Sequence, residues 1–203
     1  MKTKQELRKE ILQKRDSLTP EERSEKSKRI TERVVVHENF READVILLFS
    51  SYKSEVDTTG IFAVARRDGK DVYYPRVQGK EMEFYKVESE MDLLEGYRGI
   101  REPEADSHKR FTRSADKKIC VIMPGAVFDE EGNRIGYGGG YYDKFLEKLE
   151  VSREGAETTL NVYKIAVAFE CQIVEVGLIP NETYDKVVDD VITESRILSK
   201  LYR

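Results

Sequence analysis

Residues 132–145, GNRIGYGGGYYDKF, carry glycines at 136, 138, 139 and 140, paired tyrosines at 141 and 142, and an aspartate at 143. Four glycines within five positions cost conformational entropy that a simple turn does not require. Backbone N–H groups at the start of a helix bind phosphate oxygens, and glycine lets such backbone take positive φ and approach a polyphosphate without Cβ obstruction. The spacing matches neither the P-loop pattern GxxxxGK[ST] nor the dinucleotide pattern GxGxxG. Asp143 falls in the first turn of the helix that follows, where an acid suits the dipole as a cap and could also ligate a metal. Lys4 and Arg8 stand four apart and share one helix face, able to meet phosphates from one side or to form a solvated charged face. His37, His108, Cys120 and Cys171 form no Ser/His/Asp or Cys/His pattern, so a protein nucleophile is not expected. Both histidines read as surface residues and both cysteines as packing residues.

The elements that must position these residues can be read from periodicity. Thr3 with Glu6 is a capping-box pattern, followed by a stripe of Leu7, Ile11, Leu12 and Leu18 at helical spacing. Thr19, Pro20 and Glu22 start a second helix running to about Val36. DVILLFSS is a short apolar run of the kind that becomes a strand covered on both faces. A helix from about Thr58 to Arg67, stopped by Gly69, comes next. DVYYPRV, EFYKV, KKICVIMPG and YKIAVAFE read as further strands, and KVVDDVITES ends the sheet. The glycine stretch lies between a buried strand and a helix running to about Leu149, which is where ligands bind in open α/β sheets. Segments 101–118 and 150–160 read as charged surface loops. Alternating strands and helices predict an α/β, Rossmann-like three-layer sandwich with a largely parallel central sheet.

Composition narrows the function classes. The chain has 203 residues, enough for one substantial core, so a single domain over 1–203 is expected. With 35 basic and 39 acidic side chains the net charge is −4, which gives no general electrostatic reason to expect nucleic acid. Two cysteines do not make a disulfide framework. The N-terminus lacks a signal-peptide apolar region and no apolar run approaches a membrane span, so a soluble, cytoplasmic protein is expected, with a monomer as a separate expectation.

MPGAVFDEEGNRIGYGGGYYDKFL, together with KQELR, SSYKSEVDT, YYPR and PNETYDKVVD, resembles the 5-formyltetrahydrofolate cyclo-ligase family across nearly the whole chain. The resemblance implies ATP-driven, Mg²⁺-dependent closure of 5-formyltetrahydrofolate to 5,10-methenyltetrahydrofolate, with release of ADP and phosphate. A formyl group on nitrogen is an amide, a poor electrophile with a poor leaving group. Phosphorylation of the formyl oxygen remedies both, N10 closes the ring and phosphate departs, so the protein supplies position and charge neutralisation.

By the same resemblance Lys4, Arg8 and the loop Arg134, Ile135, Gly136, Tyr137, Gly138, Gly139, Gly140, Tyr141 and Tyr142 contact ATP. Asp143 and Asp185 are the Mg²⁺ ligands, and Arg134, Tyr142 and Asp143 form the catalytic set. Ser50, Tyr52, Glu55 and Gly138 to Tyr142 face the folate, Glu55 accepting pterin N–H groups and an aromatic ring covering its flat face. Core packing is the competing role for one tyrosine of the 141–142 pair. Arg76 is a further candidate for the substrate's carboxylates or the phosphate. Asp189 and Asp190 read as caps of the last strand, with support of the metal ligands as the alternative. Some members carry a cation within the glycine loop, but GYGGG has none, so phosphate charge falls to Arg134, Lys4, Arg8, backbone amides and Mg²⁺. The rival readings are a non-catalytic folate-binding protein and another α/β enzyme such as a sugar-phosphate isomerase or coenzyme A transferase. The block from Arg134 to Asp143 combined with Asp185 argues against both.

Overall fold

The computed structural model describes residues 2–151, 161–180, 182 and 185–200. Its elements run α1 (Lys4–Asp16), α2 (Pro20–Val36), α3 (Glu38–Glu42), β1 (Val45–Leu47), α4 (Thr59–Arg67), β2 (Asp71–Gln78), β3 (Glu81–Lys86), β4 (Leu93–Glu95), β5 (Arg101–Pro103) and β6 (Ile119–Met123). There follow β7 (Val127–Phe128), β8 (Arg134–Ile135), α5 (Tyr141–Val151), β9 (Val162–Val167), β10 (Asp190–Ile192) and β11 (Ile197–Ser199). Both expected capping boxes form. Thr3 Oγ1 accepts from the Glu6 N–H at 3.2 Å while the Glu6 carboxylate accepts from the Thr3 N–H at 2.8 Å. Thr19 and Glu22 repeat the exchange, with Pro20 at the first helical position. Each box satisfies donors that a helix start otherwise leaves open, and losing such a cap costs about 1 kcal/mol.

The central sheet has seven strands in the order β11-β10-β9-β6-β1-β2-β3. Pairs β10–β9, β9–β6, β6–β1 and β1–β2 are parallel, and each edge is closed by an antiparallel strand. Alternate residues of each inner strand point to opposite faces, so the buried run Val45 to Phe49 serves two cores. Ile46 and Leu48 pack with Ile30 and Val34 of α2, Phe40 of α3, and Ile61, Phe62 and Ala65 of α4. Val45 and Leu47 face the other way, with Val121, Met123 and Leu146 of α5. This is the expected layered α/β fold. Helix α1 stands outside those layers: its Leu7 and Ile11 pack on Ala126, Val127 and Ile135, in and beside the β7–β8 hairpin.

Three readings are corrected. Residues 101–103 are not loop but strand β5, paired with β4, and Glu102 there is buried, accepting from the Val77 N–H. His37 is not an ordinary surface residue: it caps α3, and its Nε2 lies 2.8 Å from Oδ2 of the buried Asp190, which also accepts from Tyr163. Asp190 is therefore an interior tie rather than a strand cap. Burial, which would raise its carboxyl, is outweighed by hydrogen bonds from His37, Ser199 and Tyr163, so it lies below the usual range. Of the expected loop 150–160, α5 extends to Val151 and 152–160 lie outside the described residues. Among the described residues no helix is long and apolar enough to cross a membrane.

Candidate active site

The chain leaves β1 for β2 through α4 and leaves β6 for β9 through α5, so it turns opposite ways at neighbouring parallel strands. Between the carboxyl ends of β1 and β6 lies the switch point where open α/β sheets bind ligands. Residues after β1 supply Ser50 to Glu55, and residues after β6 supply the β7–β8 hairpin and the glycine loop.

Arg134 is 8% exposed on β8 and donates through Nη2 to Asp143 Oδ1 at 2.7 Å. The same oxygen accepts from the Lys186 N–H at 3.2 Å, which brings the residue next to Asp185 onto Asp143. Asp185 Oδ2 in turn accepts from Lys4 Nζ at 2.6 Å and from the Glu182 N–H at 2.9 Å. Burial lowers the Lys4 ammonium pKa, but hydrogen bonds to Asp185 and Glu182 outweigh it and hold Lys4 above its usual value. Arg8 donates through Nε to the Gly136 carbonyl at 2.7 Å, and a Cβ on Gly138 would lie 3.8 Å from Arg8 Nη1. Helix α1 thus supplies the cation that GYGGG lacks.

Not every glycine uses its freedom in the way expected. Gly138 and Gly140 have φ of +95° and +64°, a region that side chains rarely adopt, whereas Gly136 and Gly139 do not have positive φ. What excludes a side chain at Gly139 is space, because its Cβ would meet the Tyr141 ring at 2.5 Å.

Tyr141 and Tyr142 open α5 and both pack on the second core. Tyr142 meets Phe84 edge-on and lies beneath the Arg134 guanidinium, 5.9 Å from its centroid. Burial pushes its hydroxyl pKa up, and that hydroxyl and Arg134 Nε are buried with no partner among the described residues. Orphaned donors at a loop of this kind are groups that a ligand can satisfy. Asp143 and Asp185 each use one oxygen on protein donors, and among the described residues nothing takes the other. No group of three or more potential metal ligands occurs among the described residues. Two carboxylates alone fit Mg²⁺, which otherwise takes water and phosphate oxygens.

Glu55 meets the glycine loop at Tyr137. Its Oε2 accepts from the Tyr52 N–H at 2.9 Å, and the Tyr137 hydroxyl interacts with it as well. Burial raises its carboxyl pKa, partly offset by Tyr137, Tyr52 and Arg15. Glu55 and Ser50 also border a cleft of about 360 Å³, with Arg23, Lys53 and Arg101 on its rim, within the size range of small-molecule pockets. The glycine loop does not line this cleft, so Glu55 lies between cleft and loop. Arg76 donates through Nη1 to the Pro103 carbonyl at 2.7 Å, and its Nε is buried with no partner among the described residues. Cys120 is fully buried, with its thiol pKa pushed up by burial, and has no access to a ligand.

One residue escaped the sequence reading. Arg15, 4% exposed in the last turn of α1, donates through Nη1 to the Tyr137 hydroxyl at 2.6 Å and through Nε to Ser54 Oγ at 3.0 Å. The available signal was its place on the face of Lys4 and Arg8, within about 40° around the helix.

An open sheet with helices on both faces, and a charged cluster at its switch point, defines the class of layered α/β enzymes. The profile of the 5-formyltetrahydrofolate cyclo-ligase family matches residues 1–194. The chain belongs to that family. It is 31% identical to the 5-formyltetrahydrofolate cyclo-ligase of Mus musculus over 196 residues, covering 94% of this chain and 93% of the relative. The Escherichia coli (strain K12) enzyme of the same name is 28% identical over 190 residues, covering 92% and 98%. The solved structure of Aquifex aeolicus 5,10-methenyltetrahydrofolate synthetase superposes with a TM-score of 0.80 at 31% identity, covering 98% of this chain and 94% of that one.

Proposed function

We propose that this chain closes 5-formyltetrahydrofolate to 5,10-methenyltetrahydrofolate at the expense of ATP, with Mg²⁺ as the metal. The observation that carries the reading is the convergence of Lys4, Arg8, Arg134, Asp143 and Asp185, from separate segments, on one glycine loop beside Glu55. In the reaction the formyl oxygen attacks the γ-phosphorus and ADP leaves. The N10 lone pair then adds to the formyl carbon, the carbon–oxygen bond breaks to release phosphate, and the N10 proton passes to solvent. Mg²⁺, bound through Asp143 and Asp185, would neutralise phosphate oxygens. Arg8 and the amides of the glycine loop hold the phosphates from one side, and Arg134 presents to the transferring group its Nε, which has no partner among the described residues. Lys4 exchanges Asp185 for a phosphate oxygen. Glu55 accepts pterin N–H groups and so fixes where the formyl oxygen lies, while Ser50 and the cleft receive the rest of the substrate.

The test is incubation with ATP, Mg²⁺ and 5-formyltetrahydrofolate, following the near-ultraviolet band of the methenyl product and ADP release. Both should appear in equal amounts, and Asp143→Asn should lower turnover at least about a hundredfold and weaken its Mg²⁺ dependence. Replacing Lys4 and Arg8 together by alanine should raise KM for ATP on the order of tenfold, checked by initial rates. Pterin binding without ADP release would mean a non-catalytic folate-binding protein, and no pterin binding at all would mean a different α/β chemistry.

A further inference from the structure

We infer that Arg15 is a positioning residue that couples the two halves of the site, so that filling one half tightens binding in the other. The inference rests on the proposed function, which assigns nucleotide to the glycine loop and pterin to the loop that follows β1. One guanidinium reaches both: Nη1 holds Tyr137 of the glycine loop, and Nε holds Ser54, next to Glu55. The Tyr137 hydroxyl also meets Glu55, and Ser54 donates to Asp16, the residue after Arg15. The guanidinium carbon lies 5.8 Å from the Tyr137 ring centroid, so the ring is held along its face as well as at its hydroxyl.

A charge this deeply buried is costly, and an apolar side chain would fill a purely structural position better. What arginine adds is a rigid planar fork whose N–H groups point in fixed, different directions. The fork fixes the distance between residues 54 and 137, and α1 carries the same constraint to Lys4 and Arg8, which lie on its face at the other end. A nucleotide that draws Arg8 and the glycine loop together therefore sets Tyr137, which sets Glu55. A pterin that engages Glu55 sets the loop in turn, since coupling of affinities is reciprocal.

The experiment measures the Kd of a non-hydrolysable ATP analogue with Mg²⁺ by calorimetry, with and without saturating 5-formyltetrahydrofolate, alongside kcat, both KM values and Tm. In the wild-type chain the folate should tighten the nucleotide at least about fivefold. Arg15→Lys, which keeps the charge but not the fork, should reduce that factor to near one, raise both KM values about tenfold and leave kcat within a few fold. Ser54→Ala removes one end of the bridge alone and should lower the factor even if Arg15 variants fold poorly. An active wild-type chain with no mutual tightening, or tightening that survives in both variants, overturns the inference. A wild-type chain that forms no methenyl product overturns the proposed function instead, and the two failures are read from different measurements.

Discussion

Glu55 is where function and stability pull in opposite directions. Burial raises its carboxyl pKa above the usual 4.5, so the folded chain holds that proton more tightly than the unfolded one. Its contribution to stability is then fully present below the unfolded value and is lost as pH rises through the folded one. Above the unfolded value the burial that raises this pKa is a liability that an uncharged isostere removes. Glu55→Gln should raise Tm at pH 7, and the gain should vanish near about pH 4, where both forms are neutral. The same change should lower kcat/KM for 5-formyltetrahydrofolate roughly tenfold to a hundredfold, because an amide presents one acceptor where the carboxylate presents two. In the unaltered chain KM for the folate should climb as pH falls through the raised pKa. Thermal melts and initial rates across that range check the sign, and a variant that melts lower at pH 7 would contradict it.

The hairpin formed by β7 and β8 carries Arg134, and its tip is locked to the segment that carries Asp185. Gly132 has φ of +79°, its carbonyl accepts from the Val188 N–H at 3.0 Å, and a Cβ there would sit 2.3 Å from the Val188 carbonyl oxygen. Gly132→Ala meets both the left-handed backbone penalty and a clash with main chain that cannot swing aside. It should cost at least about 2 kcal/mol in denaturant unfolding and lower activity in the surviving folded fraction, by separating Asp143 from residues 185–186. At this scale it becomes clear why some elements were legible and others were not. Helices α1 and α2 announce themselves because caps and stripes act within a few residues, as Thr3 with Glu6 does. Strands β4, β5, β7, β8 and β11 are two or three residues long and exist only through partners elsewhere, so no local pattern marks them. The glycine loop stood out by composition, but the backbone angle of each glycine depends on what crowds it. Arg15 went unread because its partners, Ser54 and Tyr137, lie far away in the chain.

Across the whole molecule, the sheet and the cluster at its rim draw on different parts of the chain. Four parallel pairings join β2, β1, β6, β9 and β10, while the two apolar cores pack α2, α3, α4 and α5 against them. Helix α1 joins only the third, smallest cluster, and its contact with Asp185 spans 181 positions of sequence. Contacts between residues so far apart form late, since the closure entropy of the intervening chain comes first. Far-ultraviolet circular dichroism during refolding should therefore recover ahead of turnover in interrupted-refolding assays. Turnover that returned with the earliest helical signal would show that α1 docks first. On a translating ribosome helix α1 meets Ser54 and then the β7–β8 hairpin, but Lys4 must wait for Asp185 to emerge. Products stalled before residue 185 would lack a proposed metal ligand together with strands β10 and β11, and the cell would receive activity only from chains read past that point.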